Sequence, residues 1–147
     1  TEDDLGVAAT LRSSSMQSNE VGANLTAVEA TLLTANISAA VNGPVIIDGT
    51  ISGRVFFNSV LSESTIITVR VYRGVTLIGE AVTNAGLGWS PGGAYPAYMP
   101  FALHIPIMET GHGGGALVYT LKALTSSTNA TFTTYWEQAY LRVLEMS

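Results

Sequence analysis

The chain has 147 residues, no cysteine, two histidines, and six basic against eleven acidic side chains, for a net charge of −5. That length suits one ordinary domain, the missing thiols exclude disulfide scaffolds and cysteine nucleophiles, and the acidic balance argues against a protein that tracks nucleic-acid phosphates. Only 12% of the residues are charged, about half the ~25% usual in a soluble domain, which suits a protomer with much of its outside buried against sister subunits.

The chain opens on Thr1-Glu2-Asp3-Asp4 with no apolar signal core behind it, so no leader is expected. Residues 1 to about 20, with Ser13, Ser14, Ser15 and Ser18, read as an extended arm. From Val21 the apolar residues Val21, Leu25, Val28, Leu32, Ala35 and Ala39 recur at alternating steps of four and three. That spacing fits the seam of a short parallel helix bundle, a single amphipathic helix packed on the domain, or an irregular Thr/Asn-rich segment. Asn42-Gly43-Pro44 ends the region. The expected division is therefore an N-terminal attachment arm with a short helical segment over 1–43 and a β domain over 44–147.

After Pro44 the period changes to two. Val45 to Ile47, Asp48-Gly49 and Thr50 to Val60 predict a hairpin with a tight turn. Thr65 to Tyr72 places Ile67, Val69 and Val71 on one face, Arg73-Gly74 turns the chain, and Val75, Leu77, Gly79 and Ala81 then share a face. Asn84 to Pro100 is a long charge-free loop holding Trp89, Tyr95 and Tyr98. Its aromatics suit a surface-binding platform for a sugar, or a seal at one end of the fold or against a neighbouring subunit. Phe101, Leu103, Ile105 and Ile107 alternate again, as do Leu117, Tyr119 and Leu121, and a last strand carries Ala139, Leu141 and Val143 beyond Trp136. Seven or eight such strands describe an all-β sandwich or jelly roll. Residues 81–108 lack Asp, Glu, Lys and Arg, yet their glycines and four prolines break any helix of bilayer length, so no membrane span is expected.

The sequence shows no nucleophile elbow, phosphate loop or zinc spacing, and no enzyme activity, metal or cofactor is expected from it. Gly111-His112-Gly113-Gly114-Gly115 reads as a flexible turn, and His104 as a surface or interface histidine. Glu80, Glu109, Glu137 and Glu145 stand apart along the chain, so only tertiary contacts would bring two together. Arg70 and Arg73 suit either an anion site or, more simply, a solvated strand face with a cross-strand pair to Glu80. Asn24, Asn36 and Asn129 each begin a glycosylation acceptor triplet, which matters only in a eukaryotic secretory context.

The block Thr65 to Ala81, the strand Val118 to Lys122 before a Ser/Thr/Asn loop, and the closing strand Ala139 to Met146 resemble TNF-like and C1q-like trimeric jelly rolls, above all the compact versions on bacteriophage virions. The resemblance covers roughly residues 45–147. It implies a homotrimer attached to a major capsid protein or another virion protein, located on the capsid surface. The implied role is a decoration or cement protein of a phage head; the alternative is the receptor-binding head of a tail fibre or spike, touching a host surface glycan. Val21, Leu25, Val28, Leu32, Tyr119 and Trp136 are then the candidate oligomer interface, and Trp89, Tyr95 and Tyr98 the candidate surface-binding loop. No nucleic-acid or membrane partner is expected.

Overall fold

Period-two patterning organises the chain from Leu11 onward. The computed structural model describes residues 11–40, 43–57, 63–87, 97–126 and 132–146. Among these residues every regular element is a strand: β1 (Leu11–Asn19), β2 (Ala23–Leu25), β3 (Ala30–Ala39), β4 (Val45–Phe57), β5 (Glu63–Arg73), β6 (Thr76–Leu87), β7 (Ala97–Glu109), β8 (Gly115–Thr125) and β9 (Phe132–Met146). They pair as the nested arms of one long antiparallel hairpin. Innermost, β5 meets β6 across the two-residue turn Gly74-Val75, where Gly74 takes φ +57, a left-handed backbone that glycine adopts without a Cβ clash. Outside it come β4 with β7, β3 with β8, and β1 with β9. The ribbon folds over on itself, so β4 also pairs with β9 and β5 with β8. The result is a sandwich of two antiparallel sheets, β1-β9-β4-β7 with β2 beside β9, and β3-β8-β5-β6.

Alternate residues close the space between the sheets. Ile47, Ile51 and Val55 of β4 face Ile67, Val69 and Val71 of β5, with Tyr119 and Leu121 of β8 and Leu141 and Val143 of β9, all with no exposed surface. Each such aliphatic side chain contributes roughly 1.5–3 kcal/mol by leaving water.

The structure departs from the sequence reading in four places. Residues 21–39 form β2 and β3 in place of a helical segment: Leu33, Ala35, Ile37 and Ala39 point inward while Thr34, Asn36 and Ser38 face out. Ala35 and Ala39 belong to both the heptad and the alternating set, and the β-branched Thr31, Thr34 and Ile37 favour the strand once β8 offers a pairing edge. Residues 11–40 thus add three strands to the two sheets, and position 43/44 lies between β3 and β4. Asp48-Gly49 is not a turn; β4 runs straight through it, pairing Gly49 with Ile105 on one side and Leu141 on the other. Val75 lies in the turn and is 97% exposed, and on β6 Leu77 is 47% exposed, because an irregularity opposite Val71/Tyr72 shifts the register by one residue and brings Ile78 against the core instead. Finally, Asn84–Leu87 and Ala97–Pro100, read as loop ends, belong to β6 and β7.

A phase slip visible in the sequence also has its cause here. Thr134 and Trp136 point inward, then Ala139 and Leu141, because β9 bulges between Trp136 and Gln138, opposite Gly53 and Ser52 of β4, where one extra residue, Glu137, inverts the alternation.

Candidate functional site

The outer face of the β1-β9-β4-β7 sheet carries the most developed surface. At one end, cross-strand register sets Thr133, Phe56 and Tyr98 in one row and Tyr135, Arg54 and Pro100 in the next, with Asn24 of β2 beside Tyr135. Asn24, Arg54, Phe56, Tyr98, Thr133 and Tyr135 line an open groove of about 370 Å³. Its parts brace one another: the Phe56 and Tyr98 rings lie 4.9 Å apart and tilted, the Arg54 guanidinium sits 5.0 Å from the Tyr98 ring centre, and Arg54 Nε lies 3.0 Å from Glu137 Oε1. A second hollow of about 360 Å³ shares Arg54 and Tyr135 and continues past Glu137 and Gln138.

Further along the same face Asp48 accepts from Arg142 at 2.5 Å and stands 3.0 Å from His104 Nε2. The Arg142 hydrogen bond, aided by His104 and opposed by burial, holds the Asp48 carboxyl below its ordinary range. On the other sheet Arg70 bonds Glu80 at 2.7 Å, the predicted cross-strand pair, and also Glu29 at 3.0 Å. Tyr72 donates to the same Glu29 oxygen at 2.9 Å, and Lys122 lies over the Tyr72 ring. Between the sheets Glu109 accepts from Arg73 and, at 2.9 Å, from the Tyr119 hydroxyl; burial, then that carboxylate, pushes the Tyr119 phenol well above the usual tyrosine range.

The separate carboxylates stay separate. Glu80, Glu109 and Glu137 each hold an arginine, while the buried Glu145 accepts from the Ala40 N–H at 2.6 Å. The glycine-rich turn is tied down: His112 accepts from the Gly114 N–H at 3.0 Å through Nδ1, so its Nε2 carries the proton and donates to the Gly43 carbonyl at 2.5 Å. Among the described residues no group of three His, Asp or Glu side chains gathers at metal-binding distance.

Of the residues predicted for an oligomer interface, Leu25, Tyr119 and Trp136 are 5%, 0% and 5% exposed and belong to the chain's own core. Leu32 packs partly against that core. Val21 and Val28 are 85% and 75% exposed and remain available to a neighbour. Of the predicted binding loop, Tyr98 is an exposed wall of the groove; Trp89 and Tyr95 lie outside the described residues.

No family model and no curated protein matches this chain. Among solved structures it is similar to one of the infectious bursal disease virus Gx strain, with 17% identity and a TM-score of 0.51 over 94% of this chain and 34% of that one. A structure of the Gt strain of the same virus matches 92% of this chain and 33% of that one at 21% identity and a TM-score of 0.44. A Bacillus endospore appendage, described as a disulfide-linked pilus, matches 95% and 92% at 8% identity and a TM-score of 0.36. What the Gx strain match shares is the fold. The chain spans about a third of the length of the viral chains it matches.

Arg54, Phe56, Thr133 and Tyr135 carried no signal in the linear sequence, and Asn24 only that of a glycosylation acceptor triplet. They come from three strands, β2, β4 and β9, and only the register of these with one another and with β7, which carries Tyr98, gathers the groove. The one legible part was Tyr98, an aromatic in a charge-free stretch.

Proposed function

We propose that this chain is a virion structural protein, a trimeric decoration or cement protein that stabilises a phage head from the capsid surface. The observation that carries the reading is the strand order: nested antiparallel pairs distributed over β1-β9-β4-β7 and β3-β8-β5-β6 support a jelly roll, an architecture used by viral capsid domains. The fold likeness to the infectious bursal disease virus Gx strain structure points the same way. So does the surface. With 12% charged residues and with Met16, Val21, Val28 and Met108 all at least 60% exposed, contacts to sister copies and to a shell would rest on apolar area more than on charge.

Attachment falls to the segment before β1 in this reading, because Leu11–Asn19 are already paired with β9. The test is to add purified protein to particles lacking it. Binding that survives molar salt and raises the heat tolerance of the particle supports the proposal. Detachment at a few hundred millimolar salt, or equal heat tolerance with and without the protein, favours the receptor-binding head of a fibre or spike, a reading supported by the aromatic groove around Tyr98.

A further inference from the structure

We propose that the groove between Tyr98 and Asn24 is a binding site for a neutral oligosaccharide. The inference stands on the groove's own residues and does not need the capsid reading. Its size, about 370 Å³ with an adjoining hollow of about 360 Å³, lies within the ~300–1,000 Å³ of small-ligand sites. Two features select the ligand's shape. Tyr98 is 63% exposed yet held by Phe56 at 4.9 Å and Arg54 at 5.0 Å, so it offers a braced aromatic face that loses little freedom when covered. Around that face stand an amide, Asn24, and two hydroxyls, Thr133 and Tyr135. A flat apolar platform with a rim of hydrogen-bonding groups matches a pyranose ring, whose C–H face stacks while its hydroxyls point outward.

Charge selects neutrality. Arg54 is the cation of the groove, and its charge already faces Glu137 at 3.0 Å and the Tyr98 ring. An anionic sugar would have to displace Glu137, and a nucleic acid would meet a chain of net charge −5. A long apolar peptide segment fits less well, because the second hollow runs between Glu20 and Glu137.

The experiment is saturation-transfer NMR on the full chain, with maltopentaose, cellopentaose and chitopentaose as neutral probes and 3′-sialyllactose as the acidic one. Expected is transfer to at least one neutral probe, weakened about tenfold or more in Tyr98→Ala and nearly unchanged in Tyr98→Phe, which keeps the stacking face. Tyr98 lies exposed on the edge strand β7, so both variants should fold, and a matching thermal midpoint checks that they do. Transfer to no neutral probe at millimolar concentration, transfer to sialyllactose only, or transfer that persists in Tyr98→Ala would each overturn the proposal. The particle heat-tolerance assay uses no sugar, so failure here leaves the capsid reading standing, and the reverse holds too.

Discussion

Gly49 lies inside β4 and faces the other sheet, and replacing it measures how tightly the two sheets pack there. A Cβ there would lie 3.0 Å from Leu121 Cδ1 and 3.1 Å from Val71 Cγ2, and both neighbours are fully buried on the facing sheet. Gly49→Ala would stiffen the unfolded chain, worth roughly 0.4–1 kcal/mol in favour of folding. Against this stands overpacking of a closed core, roughly 1–3 kcal/mol. The expected net is a loss of about 1 kcal/mol, or about 2–4 °C for a domain of this size. Gly49→Asn discriminates further. A tight Asp-Gly turn tolerates asparagine, whereas between Leu121 and Val71 the amide would be buried without a partner, costing at least about 3 kcal/mol. Urea unfolding followed by tryptophan fluorescence, at fixed protomer concentration because assembly shifts the midpoint, reads both variants. A neutral or stabilised Gly49→Asn would refute the placement of Gly49 between the sheets.

Three further perturbations address the core, the termini of the pH range and the register of β3. Tyr119→Phe keeps the ring but removes the hydrogen bond to Glu109, which should cost about 1.5–3 kcal/mol at neutral pH. Because the folded phenol is raised above its ordinary value of 10, the Tyr119 contribution is present below pH 10 and is lost as pH rises through the folded value; thermal midpoints between pH 9 and 11 should fall less steeply in the variant. Asp48 shows the opposite sign: its carboxyl is lowered, so its contribution is present above the ordinary value of 3.8 and disappears as pH falls through the folded one. Asp48→Asn should flatten acid unfolding below pH 4, and an unchanged acid limb would contradict the Arg142 pairing. Ile37→Ala should cost about 2–5 kcal/mol while Val28→Ala, at a residue 75% exposed, stays within about 0.5 kcal/mol; a helix seam through Val28 predicts the reverse, and denaturation midpoints decide.

The all-β character was legible because alternation is local. Ile67, Val69 and Val71 could be placed on one buried face from their spacing alone, and the structure buries all three. The N-terminal third misled for the same reason: Leu25, Leu32, Ala35 and Ala39 satisfy a heptad, and nothing local reveals that β8 supplies an edge to Ala30–Ala39. Asp48-Gly49 has the composition of a turn, but the need for a residue without a side chain arises from Leu121 and Val71, more than twenty positions away in sequence. The groove was least legible. Arg54 meets Tyr98 and Glu137 only through pairings of β4 with β7 and β9, and a single sequence does not state which strands are neighbours.

The measurement closest to the central claim is a cryo-electron microscopy reconstruction of particles to which the purified chain has been re-bound. The account predicts two-sheet density on the outer capsid surface, three copies around each local three-fold axis, with the sheets of residues 11–146 standing above the contact to the shell. Density confined to a tail tip or fibre, or two-sheet density present as single, unclustered copies, would contradict it.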